Sequence, residues 1–248
     1  MEITEYLETL ARDGRLMAEA AEKVGLDAPV PPCPGWRVRD ALRHTGVVHR
    51  WATAFVVEGH SSFHPMADEP DLDGDELVAW FREGHGLLVR ALSDAPDSLE
   101  CWTFLPGSSP RGFWSRRQAH ETAVHRVDVQ AAALDDAALG PVDAEFAADG
   151  IDELLCGFHA REKSRVRTQE PAVLRVRATD TGDVWTVRLS AEPPRATRGD
   201  DEGAAGCELS GPAERLYLAL WNRLPQSAVT VTGDERLARL WRETSAII

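Results

Sequence analysis

The chain has 248 residues, of which 43% are hydrophobic and 27% charged, as in an ordinary folded protein of one large or two modest domains. Its 41 acidic residues outnumber its 27 basic ones, and the net charge of −14 makes nucleic acids and anionic membranes poor partners. The sequence holds no apolar run of roughly 18 residues that could span a bilayer and starts with acidic residues unlike a signal peptide, so a cytoplasmic location is expected.

Apolar residues at helical spacing predict four long helices in the first part of the chain. The first covers residues 3–24 and the second residues 38–57, while the third begins at Asp75 as its N-cap. The fourth contains residues 114–128. Four long amphipathic helices are typical of a bundle. A fifth helix, residues 143–162, is predicted to lead out of it.

The pattern changes after Arg161. Two segments with alternating apolar residues, 174–178 and 184–189, flank a turn and predict a hairpin. Residues 192–206 are rich in proline, glycine and charge and predict a loop. The remaining elements are a strand near Glu208, a helix over 212–223, a strand over 228–231 and a final helix from Asp234. We therefore expect an α+β protein, with a helical bundle at residues 1–162 and a small α+β domain at 163–248.

The fourth helix carries the most informative residues. Glu121 and His125 are four positions apart, so their side chains point the same way with Cβ atoms about 5–6 Å apart. Trp114, Arg117 and Asp128 follow the same spacing, and they make one face of the helix largely ionisable. Because a solvated helix face has the same pattern, a metal site needs a third ligand from elsewhere.

His44, two turns into the second helix, is the candidate for that third ligand. It lies toward the stripe that is predicted to face inward, whereas His49 is predicted to face outward or to lie along the edge. A histidine on such a stripe is often a core residue, but a bundle that faces the second helix toward the fourth would bring His44 near Glu121 and His125. Two imidazoles and one carboxylate suit a catalytic divalent metal with one position open, whether zinc, iron(II), nickel or manganese.

Several other residues leave two interpretations open. Asp128 is either a group that orients a metal ligand or a surface charge. Trp36 and Trp114 are predicted to pack the ends of the bundle rather than to contact a ligand. The four cysteines are too widely spaced for a zinc knuckle or a redox motif, and we expect them to be buried thiols; they are Cys33, Cys101, Cys156 and Cys207.

Two segments resemble a known family. Residues 33–44 read Cys-Pro-Gly-Trp-Arg-Val-Arg-Asp-Ala-Leu-Arg-His, and residues 114–128 contain the pair formed by Glu121 and His125. Both resemble the mycothiol-dependent maleylpyruvate isomerase family, whose members join a DinB-like metal-binding four-helix bundle to a small domain similar to sterol carrier proteins. Residues 210–223 and 229–234 fit that second domain, so the resemblance spans nearly the whole chain.

The resemblance implies a function and its residues. The metal ligands fall on His44, Glu121 and His125, and the implied cofactors are a divalent metal, with zinc expected, and mycothiol. In the family, the thiolate adds to an activated double bond, the bond rotates, and elimination restores the alkene as the trans isomer. Permanent transfer of the same thiolate to a small electrophile would make a thiol S-transferase. Arg223 matches a family arginine and is expected to hold an anionic substrate or the cofactor.

Alternatives from other classes remain at this point. Arg223 is also explained as a solvated arginine at a helix end, and Arg82 is a weaker candidate for contact with a ligand. A metal-dependent hydrolase would activate water and would need a general base, for which only Asp128 is available. A non-catalytic bundle that binds a metal or another ligand is the third hypothesis.

Overall fold

The computed structural model describes residues 1–133, 140–200 and 203–247. The chain divides into two compact units, Met1–Gly140 and Pro141–Ile248. This division lies earlier than the boundary at residue 162 suggested by the sequence, because the fifth helix packs within the second unit. The overall class, a helical bundle followed by a mixed sheet with helices, is the α+β architecture that the sequence predicts.

The first unit is a bundle of four long helices. They are α1 (Ile3–Val24), α2 (Val38–Glu58), α3 (Gly74–Asp94) and α4 (Pro110–Ala131). The predicted N-cap of the third helix is wrong by two residues. Asp73 has the extended backbone of a cap, and its side chain accepts a hydrogen bond from the Gly74 amide, whereas Asp75 lies within the first turn.

Helix α4 is the most deeply buried element of the bundle. Of its 22 residues, 17 are buried, and it packs mainly against α1 and α2. The buried set includes Arg117, His125 and Asp128, so most of the ionisable stripe lies within the protein and not in solvent. Buried charges require partners, and the partners of this stripe define the candidate site.

Close packing of the helices depends on small residues. Three glycines each leave room for a large side chain of a neighbouring helix: Gly14 for His85, Gly46 for Trp80 and Gly84 for Arg50. A Cβ at Gly14 would overlap the imidazole of His85, which donates a hydrogen bond from Nε2 to the Leu10 carbonyl oxygen at 2.9 Å. Because Gly14 has no side chain, His85 of α3 can contact the backbone of α1.

The second unit is a five-stranded mixed sheet with helices. Its elements are α5 (Ala144–Asp152), a π-helical turn (Glu153–Phe158), β1 (Ala172–Ala178), β2 (Val184–Leu189), β3 (Arg195–Arg198), β4 (Cys207–Gly211), α6 (Ala213–Leu220), a 3₁₀ turn (Gln226–Ala228), β5 (Thr230–Gly233) and α7 (Glu235–Thr244). The strand order is β3-β2-β1-β4-β5; β1 and β4 are parallel and the other neighbours antiparallel.

The structure confirms the predicted hairpin, β1 with β2, and corrects three other elements of this unit. The fifth helix ends at Asp152 and continues as the π-helical turn. The segment predicted as a loop contains β3, a short edge strand whose mostly exposed residues lack apolar alternation. Helix α6 ends at Leu220, before the predicted end at Arg223, because Asn222 has a left-handed backbone (φ 63°). Of the four cysteines predicted to be buried, Cys207 is buried, whereas the other three are only half-buried. No helix in the described part of the chain could cross a membrane.

Candidate metal centre

The candidate site is built on two adjacent helices of the first unit. Helix α2 carries His44, and α4 carries Glu121 and His125. A buried hydrogen bond between His49 Nε2 and Thr122 Oγ1, 2.8 Å long, ties the two helices together next to the site. His49 is fully buried, so the prediction that it faces outward or along the edge is wrong.

The three predicted ligands converge on one point. Glu121 Oε1 lies 3.3 Å from Nε2 of His44 and 3.3 Å from Nε2 of His125. One ligand atom from each residue lies within 4.8 Å of the other two. Ligand atoms bonded to zinc at about 2.0–2.2 Å in tetrahedral geometry are about 3.4 Å apart. The spacing and the donor set of two nitrogens and one oxygen therefore fit a divalent ion.

The second carboxylate oxygen of Glu121 accepts a hydrogen bond from an arginine. Arg117 Nη2 donates to Glu121 Oε2 at 3.2 Å, and only 3% of the arginine side chain is exposed. The guanidinium draws Oε2 away from the histidines and leaves Oε1 facing both of them. Glu121 is thus oriented to offer an ion a single oxygen.

Asp128 orients His125. The Nδ1 atom of His125 lies 2.9 Å from Asp128 Oδ2, and the Cys33 thiol donates to the same oxygen at 3.4 Å. Asp128 is completely buried, which excludes its reading as a surface charge. A proton on Nδ1 that bonds to the carboxylate leaves the lone pair of Nε2 directed at the site, the usual arrangement for a metal-binding histidine.

The protonation of the site reflects its charge pairs. Burial alone raises the pKa of Glu121, but hydrogen bonds from His125 and His44, with the charge of Arg117, lower that pKa well below its usual range. Burial lowers the pKa of His125, but hydrogen bonds to Asp128 and Glu121 outweigh it and raise the pKa to about 9. A cation entering the site would therefore compete with a proton on His125.

Both units match one protein family. Residues 7–130 match the model of the mycothiol maleylpyruvate isomerase N-terminal domain, and residues 145–240 match the model of the MDMPI C-terminal domain. The chain belongs to the mycothiol maleylpyruvate isomerase family. The resemblance seen in the sequence is thereby confirmed, and the two matched ranges lie on either side of the division at residue 140.

Solved structures share the fold of this chain. A crystal structure of a mycothiol-dependent maleylpyruvate isomerase aligns with a TM-score of 0.61 and 14% identity, over 94% of this chain and 93% of that one. A mutant of a mycothiol-dependent maleylpyruvate isomerase, with a histidine replaced by alanine, aligns with a TM-score of 0.60 and 13% identity over the same shares. Such identities establish a common fold only. A search of curated proteins finds no match.

Trp36 and Trp114, the two tryptophans predicted to pack the ends of the bundle, have different surroundings. Trp114 stacks on Phe55 with ring centroids 5.1 Å apart, in an aromatic cluster of the bundle, in line with the packing role predicted for it. Trp36 was predicted to have the same role, and it does pack against the hydrophobic cluster of the first unit, but it also lies beside two of the candidate metal ligands. Its indole lies 5.1 Å from the ring of His44 and 5.8 Å from that of His125, measured between centroids.

The two arginines predicted to contact ligands lie outside the α2–α4 pair. Arg82 on α3 forms a two-pronged ion pair with Glu22 on α1, with N–O distances of 2.6 and 2.8 Å. Arg223 belongs to the second unit, beyond the end of α6, and its Nη1 donates to the Trp221 carbonyl oxygen at 2.7 Å. Arg82 thus has a structural explanation as a link between α1 and α3.

Proposed function

We propose that the chain is a divalent-metal enzyme that uses a low-molecular-weight thiol, mycothiol, to isomerise a small electrophile of the maleylpyruvate type. The observation that carries the proposal is the convergence of His44, Glu121 and His125, each with one ligand atom within 4.8 Å of the others. They lie in the unit that matches the N-terminal domain of the family.

Zinc is the proposed metal, because two imidazole nitrogens and one carboxylate oxygen leave a fourth, open position in its preferred geometry. Bound there, zinc would lower the pKa of a thiol so that the reactive thiolate predominates at neutral pH. The protein's own part is to hold the ligands ready: Arg117 keeps Glu121 Oε1 toward the histidines, and Asp128 keeps Nε2 of His125 free of a proton once the metal is bound.

Arg223 is proposed to bind the carboxylate of an anionic substrate or the cofactor. A guanidinium suits this role because its planar fork can form two parallel hydrogen bonds with a carboxylate. Lysine at this position keeps the positive charge but cannot form the two parallel hydrogen bonds. Arg223→Lys is therefore expected to raise KM for an anionic substrate at least several-fold while the metal content stays equal to that of the wild type.

A hydrolase is less well supported than a thiol-dependent enzyme. Metal-activated water needs a nearby base, and Asp128 was the only candidate. Asp128 is buried, and its Oδ2 already accepts from His125 and from Cys33. A carboxylate engaged in this way is poorly placed to take a proton from water. A cytoplasmic location is part of the proposal, and the wide spacing of the four cysteines, which lacks the pattern of a disulfide framework, supports it.

The test is a metal and thiol assay on purified protein. Wild type is compared with His44→Ala, Glu121→Gln and His125→Ala, and His64→Ala, in an exposed loop, controls for surface binding of metal. We expect about one equivalent of metal in the wild type and the control, and a loss of metal and activity in the three ligand variants. Equal metal in all five proteins would disprove the site.

Thiol consumption distinguishes the reaction classes. Isomerisation returns the thiol, so a catalytic amount of mycothiol should support many turnovers. One thiol consumed for each product would identify an S-transferase instead. Activity that is unaffected by removing the thiol would disprove thiol dependence altogether.

A further inference from the structure

The loop that precedes α2 fixes the backbone of Trp36 tightly. The Trp36 amide donates to the Cys33 carbonyl oxygen at 2.9 Å, and the Trp36 carbonyl oxygen accepts from the Val30 amide at 2.9 Å. Gly35 has a left-handed backbone (φ 89°), which a residue with a side chain rarely adopts, and this allows the tight turn. The indole therefore leaves the loop in a defined direction.

The indole lies between the core of the bundle and the candidate metal centre. Trp36 and Cys33 pack against the buried hydrophobic cluster of the first unit. The ring of Trp36 is nearly parallel to that of His125, at 17°, and is tilted by 54° to that of His44. The side chain of Trp36 thus contacts both imidazole ligands and also packs against the hydrophobic core.

The two histidines differ in what else holds them. His125 is buried and its Nδ1 is bonded to Asp128. The side chain of His44 is 32% exposed, and within the described residues its only hydrogen-bond partner is Glu121, at Nε2. In the part of the chain that the structure describes, no carboxylate bonds to Nδ1 of His44 as Asp128 bonds to that of His125. The ring of His44 instead contacts the rings of Trp36 and His125, with centroids 5.1 and 5.0 Å away, and of these two only Trp36 is not itself a candidate ligand.

We propose that Trp36 is a positioning residue of the metal centre, which holds the ring of His44 with Nε2 toward Glu121. The inference rests on the proposed function, because it concerns the same three ligands. It adds a role for an aromatic residue from the loop before α2. Its consequence is that a metal ion lacking this support keeps His125 and Glu121 as ligands but binds His44 loosely.

Cobalt(II) is the probe for this role. Its visible absorption reports the number and arrangement of its ligands, independently of activity. Trp36→Leu is expected to change the shape and intensity of the cobalt bands and to release the metal to a chelator about tenfold faster than wild type. Trp36→Phe retains an aromatic face and should show a smaller change in the same direction.

Trp80→Phe is the matched control. Trp80 also packs partly buried against the hydrophobic cluster of the first unit, but it stacks on Arg50, with 3.9 Å between the guanidinium carbon and the ring centroid. Its substitution should lower stability without altering the cobalt spectrum or the release rate. A merely structural role for Trp36 predicts the same result for the Trp36 variants as for Trp80→Phe.

The outcomes separate the two proposals. Cobalt bands that are lost in His44→Ala but unchanged in both Trp36 variants, with wild-type release rates, would overturn the role of Trp36 alone. Wild-type bands in His44→Ala, or no bands in the wild type, would overturn the metal centre and the role of Trp36 with it. If Trp36→Leu fails to fold, Trp36→Phe decides by the same two measurements.

Discussion

Each of the three candidate ligands is held by a different kind of neighbour. A buried carboxylate, Asp128, orients His125, while a buried guanidinium, that of Arg117, occupies the outer oxygen of Glu121. His44 has an indole beside it instead. A site restrained in this way has less to reorganise when an ion binds, so these neighbours are expected to affect metal affinity although none of them is a ligand.

Asp128→Asn tests this expectation for His125. The amide has nearly the shape of the carboxylate but no charge, so it accepts the Nδ1 proton more weakly and makes Nε2 a poorer ligand. Metal affinity should fall about 10-fold to 100-fold. A competition titration against a chromophoric chelator measures it.

Asp13→Asn is the control for this variant. Asp13 is another buried carboxylate of the bundle, paired with Arg12 and Arg126 and not with a ligand. Its substitution should lower stability and leave the metal affinity of the folded protein unchanged. Wild-type affinity in Asp128→Asn would show that the carboxylate has no part in the site.

At the scale of elements, helical periodicity predicted the bundle well. The four long helices exist, and the i, i+4 pair on α4 together with His44 on α2 does converge, because both depend on regular geometry. His49 was misplaced because α2 packs against both α3 and α4, whereas a single inward stripe allows for only one neighbour. The spacing of apolar residues predicts which face of a helix packs inward, but it does not predict a second packed face that contains polar residues such as His49.

Irregular segments were the least predictable. Trp36 lies in a loop, where position depends on backbone hydrogen bonds and a left-handed glycine rather than on a repeat. The edge strand β3 was not predicted because its mostly exposed residues do not alternate between polar and apolar. The contacts that fix Trp36 lie within its own loop, and β3 pairs with β2, the strand just before it. Neither set of contacts requires apolar residues at a regular spacing, so neither produces a periodic pattern in the sequence.

Gly14→Ala tests how α1 and α3 pack. A methyl group at this position overlaps the imidazole of His85, so the free energy of unfolding should fall by about 1–3 kcal/mol. This would occur although alanine is the better helix former by about 1 kcal/mol. Urea denaturation measures the change.

Gly86→Ala on α3 is the matched control. There the nearest atom to the new methyl group is the flexible end of Arg90, at 3.3 Å, so stability should be equal or rise by up to about 1 kcal/mol. The same Gly14→Ala substitution should lower the free energy of unfolding by less in a His85→Ala background than in the wild type, because the imidazole is then absent. Independent, additive effects of the two substitutions would contradict the proposed overlap.

At the scale of the whole molecule, both units bury neutral histidines. In the first unit, burial lowers the pKa of His49 and of His85. In the second, His159 is the only histidine, and burial together with the charge of Arg161 lowers its pKa to about 4. Acidification should therefore weaken both units, and in the second one the histidine effect can be assigned to a single side chain.

His159→Asn tests this assignment in the full chain. Unfolded histidine takes up a proton near pH 6.5, whereas folded His159 stays neutral down to about pH 4, so the unfolded state binds more protons between these values. The stability is complete above about pH 6.5 and is lost as pH falls toward 4. From about pH 7.5 to about pH 5 the loss is about 2 kcal/mol. Asparagine can still hydrogen-bond Ser164, which lies 3.0 Å from Nδ1, but it does not titrate.

Hydrogen exchange of the slowest amides in β1, β2 and β4 gives the stability of the second unit at each pH. In the variant, the loss between the two pH values should be smaller than in the wild type by about 2 kcal/mol, whatever the substitution costs at pH 7.5. His64→Asn, in an exposed loop of the first unit, should leave the loss in the second unit unchanged. If His159→Asn retains the full wild-type loss, the acid sensitivity of this unit arises from its carboxylates, and the buried imidazole does not govern it.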